Sequence, residues 1–206
     1  MLVLSQSFGR DNTYDRTVGA FRAMSNLALF LDRDGVINHD FGYVHKREDF
    51  YFIDGIFDVA RYAYQQNYKL VIITNQAGIA RGYYTEEQFQ QLSDWMCQQF
   101  LAVGAPIERV YFSPYHPSAG KGDYLKDHLS RKPHPGMIRQ AENELAIDLR
   151  RSVLIGDKVS DIKAGNAAGV GTNLLFAAER PDKSSELNYA LITSLIDARH
   201  YLKGGM

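Results

Sequence analysis

"LALFLDRDG", residues 27–35, runs five apolar residues straight into two aspartates separated by an arginine, then a glycine. An apolar run of this length without alternation describes a strand covered on both faces, which is how the strands of a parallel sheet read. Carboxylates at i and i+2 leave an extended chain on the same side, so Asp32 and Asp34 can face one ligand. Gly35 allows the backbone to turn sharply after them.

The same pattern recurs outward from this stretch. "KLVIITNQAG" (69–78), "IERVYFS" (107–113), "SVLIGD" (152–157) and "GTNLLF" (171–176) are further strand-like runs. Between them, "IDGIFDVARYAYQQNY" (53–68) puts Ile56, Val59, Ala60 and Ala63 on one helical face. "TEEQFQQLSDWMCQQFLAVG" (85–104) opens on an N-cap threonine and closes on glycine, as a helix should. Pro135 suits the first turn of a helix over "GMIRQAENELAI" (136–147), and "VSDIKAGNAAG" (159–169) reads as a short helix. The tail adds a strand near "NYALITSL" (188–195) and a last helix. Strands alternating with helices predict an α/β fold, an open parallel sheet with helices on both faces. Residues 1–25 are polar and weakly patterned and read as a leader, with Met24 as an alternative start; residues 26–206 form one domain. The insertion at 38–52 is too short to fold as a cap domain, so only loops cover the site.

Ligands of open parallel sheets bind beyond the carboxyl ends of the strands. Here those places follow Leu31, Ile73, Ser113 and Ile155. They hold Asp32 and Asp34, Thr74 and Asn75, the loop leading to Arg131 and Lys132, and Asp157 with Lys158. Carboxylates converging from two strands repel one another unless a cation sits among them, and oxygen ligands of this kind suit Mg2+. A threonine hydroxyl, backbone N–H groups and a lysine ammonium can hold a phosphoryl group. One aspartate can then attack phosphorus while the second protonates the leaving oxygen.

Composition narrows the partners. The 206 residues carry a net charge of −1, so no overall charge favours nucleic acid or an anionic membrane. No stretch approaches the roughly 20 apolar residues of a membrane span, and there is no secretory signal pattern. The one cysteine, Cys97, rules out an intramolecular disulfide framework and falls in a helix as a packed or partly exposed thiol. A reduced cytoplasmic setting and a monomer are the default expectations.

The stretches "LDRDGVIN", "GYV", "FIDGI", "TNQAGIARG", "RKPHPGM" and "GDKVSDIKAG", in this order over residues 27–176, resemble the haloacid dehalogenase (HAD) superfamily of phosphatases. The resemblance is greatest to its heptose-bisphosphate phosphatase and histidinol-phosphatase family. It implies a HAD-like fold and removal of the 7-phosphate of D-glycero-D-manno-heptose 1,7-bisphosphate, through an aspartyl phosphate, in nucleotide-activated heptose biosynthesis. It implies Asp32 as nucleophile, Asp34 as acid and then base, and Thr74 and Lys132 on the transferring phosphoryl group. Mg2+ would be held by the Asp32 side chain, the Asp34 backbone carbonyl and Asp157. Asp40, Phe41, Gly42, Tyr43, Asn75, Gln76, Arg131 and Lys158 would contact or frame the substrate, Arg131 at the second phosphate.

Relatives of this kind also carry a structural zinc, held by three cysteines and a histidine before the lysine. The corresponding positions here are Ser113, Tyr115, His128 and Ser130. Serine and tyrosine replace thiolates poorly, so no zinc is expected. Either packing of Tyr115 and Tyr124 holds the loop instead, or the loop is mobile until substrate arrives. The same catalytic apparatus would serve a histidinol-phosphate phosphatase. A non-catalytic sugar-phosphate-binding module is the reading from a different class, and the intact Asp32, Asp34, Thr74, Lys132 and Asp157 speak against it.

Overall fold

The computed structural model describes residues 25–181 and 186–204, so the expected polar leader lies, apart from Ser25, outside the described residues. Six strands form one sheet: β1 (Leu27–Leu31), β2 (Tyr68–Asn75), β3 (Ile107–Ser113), β4 (Val153–Gly156), β5 (Thr172–Phe176) and β6 (Ala190–Ile192). Their order is β3-β2-β1-β4-β5-β6 and every neighbouring pair is parallel. The chain winds outward from β1 through β2 to β3, then returns to the other side of β1 for β4. The switch point therefore lies between β1 and β4, where a crevice opens beyond the strand ends.

Alternation within the strands builds two cores. Leu27, Leu29 and Leu31 of β1, with Leu70 and Ile72 of β2 and Val153 and Ile155 of β4, face one side. Ala28 and Phe30, with Val71, Ile73 and Leu154, face the other. The first face is covered by α1 (Ile56–Gln65), α3 (Glu86–Ala102) and a closing 3-10 turn (Leu195–His200). The second is covered by α4 (Gly136–Leu145) and α5 (Val159–Ala168). Burying both faces is what the unbroken apolar runs anticipate.

Several element ends differ from the sequence reading, each for a local reason. α1 holds the whole apolar face but is shorter than the stretch 53–68, because Gly55 at φ 84° caps its start and Asn67 at φ 65° turns the chain after its end. Pro135 is the N-cap of α4 instead of lying in its first turn. The run 69–78 is strand only as far as Asn75 and passes into a short helix, α2 (Ala77–Arg81), closed by Gly82 at φ 77°. At α3 the expectation holds fully: Gln88 N–H donates to Thr85 Oγ1 at 3.2 Å, and Thr85 N–H donates to Gln88 Oε1 at 2.9 Å. Between β1 and α1 there is only a 3-10 turn (Arg47–Asp49) and isolated bridges. Loops alone thus stand over the crevice. Among the described residues no helix is long and apolar enough to cross a membrane.

Candidate active site

β1, β2 and β4 bring Asp32, Thr74 and Asp157 to one edge of the sheet because their registers align: Leu31 is level with both Ile72 and Ile155, so Thr74 and Asp157 lie one residue beyond the level of Asp32. Asp32 stays in line with the sheet, its N–H donating to Ile155 O at 3.0 Å. Lys132 reaches in from the loop after β3, and its buried Nζ donates to Asp32 Oδ1 (2.8 Å), Asp161 Oδ1 (2.8 Å) and Ile73 O (2.9 Å). All three ammonium hydrogens are engaged. Asn75 fixes the approach, since its amide both accepts from Lys132 N–H and donates to Lys132 O, each at 3.0 Å.

Carboxylate oxygens of Asp32, Asp157 and Asp161 lie within 4.8 Å of one another. One buried lysine therefore faces three carboxylates. Burial, with Asp161 and Asp157 adding to it against Lys132, pushes the Asp32 carboxyl up from 3.8 to about 8. Burial and Asp161 likewise raise Asp157, against Lys158. Asp157 Oδ1 is buried and has no hydrogen-bond partner among the described residues. An oxygen-lined, electron-rich corner with an orphaned carboxylate oxygen fits a hard divalent cation. Glycine is required beside it: at φ 98°, a β-carbon on Gly35 would sit 2.2 Å from Asp157 Oδ2.

Asp34 faces the same crevice but is held separately. Its Oδ1 accepts from Arg33 Nη2 (2.8 Å), Arg33 Nε (3.2 Å) and Asn38 Nδ2 (3.0 Å), and its Oδ2 from Gln76 Nε2 (3.1 Å). Arg33 is fully buried and also donates to Val44 O at 2.7 Å. The Gln76 amide donates in addition to Thr74 Oγ1 (2.8 Å), while its Oε1 accepts from Tyr84 O–H (2.6 Å). Tyr84 thereby decides which way round the amide lies. Gly78 leaves room for this ring, since a β-carbon there would meet Tyr84 Cε1 at 2.2 Å. Tyr84→Phe removes the donor that orients the amide, so kcat should fall about tenfold through misplacement of Asp34 and Thr74. KM should stay within about twofold, because no group on the substrate side is lost. Steady-state kinetics check the split; an unchanged kcat would remove Tyr84 from the network's function.

Of the other expected residues, Asp40 accepts from Gly42 N–H (3.0 Å) and from Lys158 Nζ (3.0 Å). Against the cost of partial burial, these two donors hold the Asp40 carboxyl below its usual range. Lys158 Nζ also lies 3.4 Å from Asp157 Oδ2, tying the 40–43 loop to the end of β4. Phe41 and Tyr43 stand exposed at the rim. Arg131 Nη1 donates to Tyr115 O at 2.9 Å.

The positions Ser113, Tyr115, His128 and Ser130 do come together. Ser130 Oγ lies 2.9 Å from Ser113 Oγ and 2.8 Å from His128 Nδ1, and the Tyr115 ring lies 4.2 Å from the His128 ring. Tyr124 packs 6.1 Å from Tyr115 and bonds Glu86, as part of the same loop. His134 pairs with Asp127 at 3.2 Å, away from the carboxylates. Sequence reading missed Asp161, Arg33, Asn38 and Tyr84. Asp161 had a signal: it follows Asp157 by four residues, in the first turn of α5, and its Oδ2 accepts from Lys158 N–H at 2.9 Å.

A parallel sheet switched beside β1, with carboxylates from β1 and β4 around a buried lysine, is that of the HAD-like phosphatases. Residues 129–183 match the HAD-hydrolase-like family model. The chain is 49% identical over 181 residues to the D-glycero-α-D-manno-heptose-1,7-bisphosphate 7-phosphatase of Burkholderia mallei, covering 88% of this chain and 96% of that protein. It is 40% identical over 183 residues to the β-anomer 7-phosphatase of Escherichia coli K12, covering 88% and 96%. Among solved structures, a HAD-like phosphatase from Mesorhizobium loti matches with a TM-score of 0.78 and 33% identity over 87% of each chain. The D,D-heptose 1,7-bisphosphate phosphatase of B. bronchiseptica, complexed with magnesium and phosphate, matches with a TM-score of 0.73 and 25% identity, covering 85% of this chain and 98% of that one. The chain belongs to the heptose-1,7-bisphosphate 7-phosphatase family of HAD-like hydrolases.

Proposed function

We propose that this protein is a Mg2+-dependent phosphatase that removes the 7-phosphate of D-glycero-D-manno-heptose 1,7-bisphosphate. It would act in the cytoplasm, as a monomer, in the supply of nucleotide-activated heptose. The observation that carries the reading is the buried cluster of Asp32, Asp157 and Asp161 around Lys132, opening beside a separately held Asp34. Relatives with the same family membership and nearly full-length overlap act on this substrate by name.

Asp32 attacks phosphorus, and the P–O7 bond breaks as Asp34 gives its proton to the departing sugar oxygen. Asp34, now a carboxylate, takes a proton from water; that water attacks the same phosphorus and the bond to Asp32 breaks, releasing phosphate. Thr74 Oγ1 binds a phosphoryl oxygen, Lys132 sets its positive charge against the group and turns the hydrogen it holds on Asp32 towards it, and Asn75 keeps Lys132 in place. Asp32, Asp157 and the Asp34 carbonyl would hold Mg2+, which would supply positive charge that keeps Asp32 ionised and offsets the phosphate. The Arg33, Asn38 and Gln76 donors keep Asp34 facing the crevice between the two steps.

Purified protein with Mg2+ should release one phosphate from heptose 1,7-bisphosphate with kcat/KM at least about 100-fold above histidinol phosphate, a difference of the size a second recognised phosphate provides. Both anomers belong in the panel. Comparable turnover of histidinol phosphate would transfer the assignment to that substrate, and no release from any ester would favour a binding module. Elemental analysis should find zinc well below one per chain.

A further inference from the structure

The two oxygens of Asp34 are bound unevenly. Arg33 Nη2 (2.8 Å), Arg33 Nε (3.2 Å) and Asn38 Nδ2 (3.0 Å) all donate to Oδ1. Oδ2 accepts from Gln76 Nε2, at 3.1 Å, and from no other group among the described residues. A carboxylate offers about four lone-pair sites, two on each oxygen. Oδ1 is therefore filled and has no room for a proton, while Oδ2 keeps one site open. The same two side chains hold the ends of the segment 39–44 that stands over the crevice. Arg33 Nη2 donates to Val44 O at 2.7 Å, and Asn38 Nδ2 to His39 O at 2.9 Å.

Stability does not account for an arginine at this place. Its side chain is 1% exposed against 17% for Asp34, and its guanidinium lies 5.6 Å from the centroid of the Phe89 ring. Nη1 is buried with no hydrogen-bond partner among the described residues, and so is Oδ1 of the fully buried Asn38. A buried ion pair gains little over an apolar pair of similar volume, and each unpaired polar atom costs more. What the arrangement does secure is the rotation of the Asp34 carboxyl, because a guanidinium fork on one oxygen fixes where the other points.

We propose that Arg33 and Asn38 are positioning residues that divide the work of Asp34 between its oxygens, Oδ1 as the anchor and Oδ2 as the atom that gives and takes the proton. This rests on the phosphatase reading above. In the first step the Oδ2–H bond breaks and the proton passes to the sugar oxygen, which takes the electron pair of its bond to phosphorus. In the second step water gives a proton to Oδ2 while its oxygen bonds phosphorus, and the electron pair of the phosphorus–oxygen bond returns to Asp32. Gln76, on the other site of Oδ2, leaves the crevice-facing one free in both steps.

The test compares kcat/KM on two esters. One is the sugar ester that the protein turns over best, whose alkoxide needs a proton to leave; the other is p-nitrophenyl phosphate, whose phenolate leaves without one. This parameter covers the reaction only up to departure of the leaving group, so hydrolysis of the aspartyl phosphate drops out. Arg33→Lys keeps the charge without the fork. It should lower kcat/KM about 10- to 100-fold on the sugar ester, part of the about 10²–10⁴-fold that a positioned acid contributes, and at most about threefold on the aryl ester. Asn38→Ala removes one donor and should shift the same ratio about three- to tenfold, and it decides the matter by itself if Arg33→Lys does not fold. In an Asp34→Asn background the ratio has already shifted, and adding either substitution should change it by less than about twofold, since residues acting through one group are not additive. Equal losses on both esters, an unchanged ratio, a full further loss in the Asp34→Asn background, or failure of both variants to fold would overturn the proposal. If wild-type protein releases phosphate from no sugar ester, the phosphatase reading fails and the proposal falls with it. Turnover of a sugar ester other than heptose 1,7-bisphosphate removes the heptose assignment only, and the comparison still decides.

Discussion

Asp32→Asn should stop phosphate release, lowering kcat on the order of 10⁴-fold, while the protein remains folded with a Tm no lower than that of the wild type. The kinetic effect follows from the chemistry: an amide oxygen does not form the covalent intermediate, and no other carboxylate occupies the place where β1 delivers one. The stability side follows from the electrostatics. Asp32 sits with Asp157 and Asp161 facing one buried lysine, and its carboxyl is pushed up to about 8 by burial and by those neighbours. Its ionised form is thus less welcome in the folded, metal-free protein than in the unfolded chain. Asparagine keeps the shape and removes the charge, and Lys132 still has Asp161 at 2.8 Å. Phosphate-release kinetics and a thermal melt without added metal measure the two effects separately. Substantial residual turnover would move the nucleophile elsewhere; a large drop in Tm would show that Asp32 serves chiefly as a structural partner of Lys132.

The difference between what could and could not be read from the chain has a physical origin. Strand cores and their exits were legible because burial on both faces forces continuous apolar runs, as in Leu27–Leu31, and each run ends where a polar side chain enters the crevice. Asp32, Thr74 and Asp157 were visible for that reason. Lys132 was legible only coarsely, as the cation at the end of the long loop that follows β3, a stretch with no period, and the family resemblance sharpened its role. Asp161 was overlooked because a buried aspartate at the start of a helix has the same appearance as an N-terminal cap, and here it does both jobs. The Tyr84–Gln76 contact joins two residues across α2, and nothing in "TNQAGIARGYY" marks which of its tyrosines turns inward: Tyr84 is buried and Tyr83 exposed. The loop before Lys132 shows the same limit. Replacing ligand types argues against zinc, but hydrogen bonding among Ser113, His128 and Ser130 depends on a geometry that only the folded loop creates.

Lys132→Met should cost stability as well as activity, and the two losses should separate. Nζ bonds two buried carboxylates and the Ile73 carbonyl, so its removal leaves uncompensated negative charge in the core. Breaking a buried pair in this way costs about 3–5 kcal/mol, which for a chain of this size lowers Tm by roughly 10 °C. The deficit should depend on pH in a definite direction. Asp32 already titrates at about 8 when folded against 3.8 as a free side chain, and losing Lys132 raises it further. Folding therefore favours its protonated form: that contribution is complete below about pH 4 and disappears as pH rises through the folded value. The Tm difference between variant and wild type, measured without metal, should accordingly stay level between pH 5 and about 7 and widen as pH rises through 8 and beyond, where Asp32 ionises in the wild type but still holds its proton in the variant. Adding Asp161→Asn to Lys132→Met removes one of the stranded charges and should recover part of the Tm at pH 8, since the two sites share one ion pair and do not act additively. Activity should stay down by about 10²–10³-fold in both, because the phosphoryl group has lost a preorganised cation that no second substitution restores. A pH-independent deficit, or a double variant less stable than Lys132→Met alone, would mean that the lysine holds the loop by packing and that the carboxylates do not depend on its charge.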